Sequence, residues 1–225
     1  MNEGNKIWGG RFRQHAAQIM EEFSSSIDFD KELFEADILV NKAWAMALVD
    51  AGIYTSEEAD RVCMTLDEIK EKYEKNQLAF KNSDEDIHTA NERWLTEAIG
   101  DLGARIHTGR SRNDQVVTDL KIYVKKQLGC LDIQIENLQK VLLVLAENHI
   151  KTVFAGQTHL RQAQPVSLAH YFLSLFFQLH RDRKRLKNSY QLLNKCPLGS
   201  GAIAGAAYKI DRHQLARNLG FAEPS

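Results

Sequence analysis

HTGRSRNDQ, His107 to Gln115, runs directly into the longest regular stretch of the chain. From Val117 onward the apolar residues fall at Leu120, Val124, Leu128, Leu131, Ile135, Leu138, Leu142 and Leu145. Steps that alternate three and four form the seam of a long helix packed against other long helices. The pattern predicts a helix from about Asp114 to Ile150, about 55 Å long at 1.5 Å per residue. Asn113 or Asp114 is the expected N-cap, offering a side-chain oxygen to the free amides of the first turn. Two arginines, a serine and an asparagine thus sit at a helix N-terminus, where unpaired amides and the dipole favour an anion.

Outward from that junction, composition sets the bounds. A chain of 225 residues can bury a core in one or two domains. Its 29 Lys and Arg nearly cancel 30 Asp and Glu, so bulk charge favours neither nucleic acid nor a membrane surface. No apolar run reaches membrane-spanning length, and MNEGNKIWGG lacks a signal-peptide core, so a cytoplasmic protein is expected. Cys63, Cys130 and Cys196 are far apart and without metal-ligand spacing; they read as reduced thiols, and no metal is expected.

The rest of the chain reads as more helices. WGGRF (Trp8 to Phe12) looks like an anchor in a polar arm. A helix over roughly Lys31 to Ala51 puts Leu33, Asp37, Val40, Trp44 and Leu48 on one face, with Gly52 as its stop. Thr55 and Glu58 fit a capping box ahead of a helix carrying Ala59, Val62, Leu66, Ile69 and Tyr73. Ser83 or Asp84 is expected to cap a third helix, with Ile87, Ala90, Trp94 and Ala98 on one face. After the long helix, Phe154 to Pro165 reads as a loop; a second long helix over about Ser167 to Leu193 follows, apolar nearly all round in its first half. No alternating strand pattern is convincing. The expectation is an all-α chain: a small helical domain over 1–108, then the start of a long-helix bundle over 109–225.

Three polar stretches interrupt this helical sequence: SSSIDFD (Ser24 to Asp30), HTGRSRNDQ, and GQTHLRQAQP (Gly156 to Pro165). Around Ser111, Arg112 and Asn113 the donors converge on one helix start and suit a carboxylate. His159 is the best candidate for proton transfer, since imidazole gives and takes a proton near neutrality. A loop histidine bonded to backbone is the competing reading. His88, inside a helix pattern, reads as structural. PLGSGAIAG (Pro197 to Gly205) is glycine-rich, but no strand precedes it and its spacing is not that of a dinucleotide fingerprint.

WGGRF, SSSIDFD, DIHTANE, HTGRSRND, THLRQAQP and PLGSGAIAG occur in an order that resembles the argininosuccinate lyase family, within the fumarase/aspartase superfamily. The resemblance covers essentially the whole chain, and HTGRSRND with WGGRF is its specific part. It implies long helices from four subunits packed into one core, a homotetramer with shared active sites. It also implies a cofactor-free β-elimination that splits argininosuccinate into arginine and fumarate. By family position His159 is the acid/base histidine. Ser26, Asn113 and Thr158 match substrate-binding positions, Ser111 and Arg112 lie in the same loop, and Asp30 is a further contact.

Two departures stand out. After THL the family has glutamine before arginine, whereas here Arg161 precedes Gln162. The family's third signature, a GSSxMPQKKNP-type loop with the catalytic serine and a lysine, is not in this sequence. The resemblance therefore implies that the 225-residue chain is an amino-terminal portion, inactive alone. Competing readings are a silent, crystallin-like structural protein and a sibling lyase acting on adenylosuccinate or aspartate, the latter disfavoured by HTGRSRND.

Overall fold

A computed structural model describes residues 18–225; the WGGRF patch lies outside them. The described chain is dominated by helices, as the spacing predicts. Two compact units emerge: one holds the described residues through Tyr123 together with Lys195–Ser225, the other holds Val124–Asn194.

In the first unit, α1 (Gln18–Ser24) and α2 (Ile27–Asp30) lead through a 3-10 turn into α3 (Phe34–Asp50). Leu33, Asp37, Val40, Trp44 and Leu48 are all buried, and Gly52, at φ 73°, ends the run as expected. The capping box forms: Thr55 Oγ1 accepts from the Glu58 amide at 3.2 Å and the Thr55 amide donates to Glu58 Oε2 at 2.9 Å, starting α4 (Ser56–Glu74). The third cap lies two residues later than the nearer expected one. Asp86 Oδ1 accepts from the Thr89 amide at 2.6 Å and starts α5 (Ile87–Ile99), while Asp84 is drawn away to Arg93 at 2.6 Å. Leu95, rather than Ala98, joins Ile87, Ala90 and Trp94 in the core.

These helices enclose one apolar core in which Val40, Trp44, Leu48, Val62, Leu66 and Ile87 are fully buried. Each such side chain is worth about 1.5–3 kcal/mol over exposure. Phe34 stacks on Tyr73 at 3.7 Å beside Trp94. After the short α6 (Asp101–Ala104), α7 (Arg112–Asn148) begins in this unit. The chain returns at its far end: Leu198, Leu215 and Phe221 complete the core. The two-residue strands β3 (Lys195–Cys196) and β4 (Glu223–Pro224) pair in parallel, with α9 (Arg212–Asn218) between them.

The second unit holds the rest of α7, α8 (Leu168–Leu193) and, between them, a two-stranded element the sequence reading did not anticipate. β1 (Val153–Thr158) pairs antiparallel with β2 (Arg161–Ser167) where a loop was expected. Neither strand alternates in burial, and most of its residues are exposed, so no period-two signal exists to read. α8 starts at Ser167, whose Oγ accepts from the His170 amide at 3.2 Å. Arg183 clamps the two helices: it reaches Asp132 with two bonds of 2.6 and 2.8 Å, and Glu136 at 3.0 Å.

The seam predicted on α7 is covered only in part within this unit. Leu142 is buried, together with Gln139 and Ala146, whereas Leu131 and Leu138 are 42% and 49% exposed. On α8, among the described residues, only Ala169 is buried.

Candidate active site

The head of α7 differs by two to three residues from the expected cap. The helix begins at Arg112, preceded by Ser111, whose Oγ accepts from the Asn113 amide at 3.2 Å. Asp114 reaches back, its Oδ1 accepting from the Ser111 amide at 3.1 Å. Serine and, three residues on, an acid form a reciprocal cap. Asn113 and Asp114 thus lie inside the first turn, which leaves the Asn113 side chain exposed.

Three polar segments meet here. Ser26 Oγ donates to Asp30 Oδ2 at 2.5 Å, and Asp30 Oδ1 accepts from the Ile87 amide at 3.0 Å, which ties SSSIDFD to DIHTANE. The Arg112 guanidinium lies 3.5 Å from both Asp86 and Glu92 and donates to Gln115 Oε1 at 2.8 Å, which ties DIHTANE to HTGRSRND. Arg110 is 7% exposed, and its Nε and Nη1 find no protein acceptor. Burial pushes the Arg110 guanidinium down, and the nearby Asp37 charge opposes that. Burial, with Arg110 and Arg112 alongside, pushes His107 down to about 4, so its ring is neutral near pH 7. Burial raises the carboxyls of Asp30 and Glu92. The head of α7 therefore gathers two guanidinium groups: Arg112 faces Asp86 and Glu92, while the unanswered Arg110 donors suit an anionic group.

Beneath it lies a buried polar cluster. Asp37 fills both its carboxylate oxygens: Oδ1 with His88 Nδ1 at 2.9 Å and Gln115 Nε2 at 2.5 Å, Oδ2 with Asn41 Nδ2 at 2.8 Å and Asn91 Nδ2 at 2.6 Å. Asp119 Oδ2 is 3.1 Å from the same His88 nitrogen. Burial opposes the charged form of His88, but the Asp37 charge and the two carboxylate contacts prevail and raise it to about 10. Burial likewise works against the Asp37 carboxylate, yet the His88 charge and its donors hold it far below the usual range. Asp119, buried beside Asp37, is pushed well above that range. Asp37, His88 and Asp119 are also a set of metal-ligand types with atoms within 4.8 Å of one another. With both Asp37 oxygens taken by side-chain donors, their arrangement is that of a buried ion pair. It pins α3, α5 and the first turns of α7 to one another.

His159 and Thr158 belong to the other unit. His159 and Leu160 form the two-residue turn between β1 and β2, at φ 52° and 62°. Such a turn needs the left-handed region at both positions, where Asn-Gly is the usual pair. Two residues with large side chains hold it here, and Leu160 is 95% exposed. Strain of this kind, of order 1–3 kcal/mol per residue, concentrates at functional sites. Ser26, Asp30, Ser111, Arg112 and Asn113 thus share one unit, and Thr158 and His159 share the other.

Asp37 is the residue the sequence reading underused. A carboxylate recurring at helical spacing among Leu33, Val40, Trp44 and Leu48 signals a buried charge, and that charge needs partners.

The chain belongs to the lyase family, which it matches over residues 10–224. It is 45% identical over 216 residues to the argininosuccinate lyase of Geobacillus sp. (strain WCH70), spanning 96% of this chain and 47% of that protein. The argininosuccinate lyase of Ehrlichia ruminantium (strain Welgevonden) is 42% identical over 98% of this chain and 48% of its own length. The chain therefore spans about half the length of the curated relatives it matches. Among solved structures, a variant of EDDS lyase with bound fumarate superposes with a TM-score of 0.77 at 25% identity, over 91% of this chain and 40% of that one. A fumarate lyase:delta crystallin from Brucella melitensis gives 0.72 at 18% identity, over 92% of this chain and 50% of that one, a likeness of fold.

Proposed function

We propose that this chain contributes two of the three active-site stretches of an argininosuccinate lyase, which eliminates fumarate from argininosuccinate and releases arginine. The observation that carries the reading is the α7 head. Ser111, Arg112 and Asn113 stand at a helix N-terminus beside Arg110, in a chain 45% identical to a named argininosuccinate lyase. The fumarate bound in the EDDS lyase variant fits the same product class.

In this reading a base removes the proton next to a substrate carboxylate. The resulting doubly charged aci-carboxylate is held by fixed donors, and an acid protonates the leaving guanidino nitrogen. Ser26, Ser111, Arg112, Asn113 and Thr158 bind the substrate, with Asp30 orienting Ser26. His159, on its strained turn, is the acid/base group. No cofactor takes part. Residues 1–108 belong to the amino-terminal domain, whose core Lys195–Ser225 completes, and within 109–225 the long helices α7 and α8 begin the bundle that four subunits share. Copies packing on the bare α7 seam would cover Leu131 and Leu138, and one copy's His159 would serve a site built on another. The second acid/base group of the reaction is not assigned among these 225 residues, and in this reading they are silent alone. The reaction suits a cytoplasmic enzyme of arginine biosynthesis.

The test is fumarate release, followed for the polypeptide isolated at its native length from its own source and for the 225-residue chain. Argininosuccinate should yield fumarate with the former only. His159→Asn should abolish it, because asparagine tolerates φ above zero and so removes the imidazole without disturbing the turn. Release from adenylosuccinate instead would assign a sibling reaction. A normal rate from the 225-residue chain would overturn the shared-site part of the reading.

A further inference from the structure

Pro197 to Gly205 is a glycine-rich stretch that the proposed reaction leaves without a role. Its Gly199, Gly201 and Gly205 have φ of 86°, 62° and 90°. A Cβ on Gly201 would stand 2.6 Å from the Gly205 carbonyl oxygen, and one on Gly199 would stand 3.2 Å from Arg212 Cγ. The loop is wound so tightly that amides of neighbouring residues point inward, the geometry of an anion-binding nest. In this protein the nest is filled from within. Asp114 Oδ2 accepts from the Gly199 amide at 3.1 Å and from the Gly201 amide at 2.8 Å, while its Oδ1 holds the Ser111 amide. Asp114 is 4% exposed. One carboxylate thus collects three backbone donors from two segments 85 residues apart in sequence.

Neighbouring contacts give this junction a direction. Gly109, at φ 72°, lies so close under Tyr208 that a Cβ there would be 2.7 Å from the ring. Arg212 donates to Ser200 Oγ at 3.0 Å and to the Ser225 carbonyl at 3.2 Å, which backs the loop from behind. Lys121 reaches the Lys195 carbonyl at 2.8 Å, one helical turn and more beyond Asp114. The loop is therefore seated on the α7 head and on the approach to it.

We propose that Asp114 is a positioning residue. By occupying the Gly199–Gly201 nest it fixes the 197–208 loop against the first turn of α7 and so sets the aim of Ser111, Arg112 and Asn113. The effect on substrate rests on the proposed reaction; the clasp itself does not.

The experiment has two readouts. In the 225-residue chain, amide hydrogen exchange at Ser111, Gly199 and Gly201 is compared between wild type, D114N, D114A and D114E. Loss of a charge-assisted bond should speed exchange at both glycines by about tenfold to a hundredfold in D114A, with D114E recovering part of the protection. G201A attacks the same junction from the loop side and should speed exchange at Ser111. If the two glycine amides exchange in D114A as they do in wild type, the clasp is wrong. Should D114A fail to fold, D114N and G201A decide.

In the native-length enzyme, D114N should raise the KM for argininosuccinate by about tenfold while kcat changes far less, since the groups being aimed bind substrate. An unchanged KM with faster exchange would reduce Asp114 to a structural clasp and overturn its positioning role. A wild-type enzyme that releases no fumarate from argininosuccinate would count against the proposed reaction, and the exchange rates alone would then decide whether the clasp exists.

Discussion

The two units stabilise long helices by opposite means. In the first, three short helices, the start of α7 and the returning carboxyl-terminal segment close on a dry core. The charge they bury is answered inside, with His88, Asn41, Asn91 and Gln115 around Asp37. In the second, two longer helices are clamped by Arg183, yet they leave Leu131, Ile133, Leu138, Val141 and Val144 substantially exposed. The first unit closes its core with its own residues. The second carries more apolar surface than its own contacts cover, a pattern that marks association surfaces.

Removing the hub should break the first unit most severely. Asp37→Ala strands the buried His88 charge and should cost about 3–5 kcal/mol, read as a fall in the urea midpoint. An equivalent change at Leu192, 82% exposed in the second unit, should stay within about 0.5 kcal/mol.

The next effect is one of pH. His107 is held near 4 in the folded chain against an ordinary 6.5, so the neutral ring is the folded form. For a base with a depressed folded value, the stability is fully present above 6.5 and is lost as pH falls from 6.5 to 4. His107→Asn should remove that dependence, about 3 kcal/mol between the two limits. It is measured as the difference between wild-type and variant stability curves, so that other titrating carboxylates cancel. His88 has the opposite sign: held near 10, its contribution is fully present below 6.5 and is lost as pH rises from 6.5 to 10.

In the second unit, Leu160→Gly relieves one left-handed, non-glycine position and should stabilise the hairpin by about 1 kcal/mol, visible as slower exchange in β1 and β2. The smallest effect on stability, within about 0.5 kcal/mol, is expected for Val141→Lys. That substitution should nonetheless lower self-association in sedimentation. If association is unchanged, the exposed face of α7 that carries Leu138 and Val141 is not the surface that draws copies together.

How far the sequence could be read follows the same division. Helices with a dry face were legible: α3, α4 and α5 lie where the spacing of Trp44, Leu66 and Ile87 puts them, and the Thr55–Glu58 box was readable from two residues. The caps at Asp86 and Ser111 were displaced because several polar residues in a row can each cap, and the choice falls to tertiary partners. Arg93 takes Asp84, and the glycine loop takes Asp114. The hairpin was invisible because strands exposed on both faces carry no alternation. The α7 seam is only partly matched by the chain's own contacts, which bury Leu142 and leave Leu131 and Leu138 exposed. At the head of α7 the spacing singled out Ser111, Arg112 and Asn113 as candidates but not Asp37, whose partners lie 51 and 78 positions away.

The glycine loop that Asp114 fills has one more consequence. A nest of free amides would ordinarily compete for whatever phosphate or carboxylate the solution offers. Here the competitor is tethered to the same polypeptide, at an effective concentration far above that of ordinary solution anions. The loop is thereby withdrawn from anion traffic.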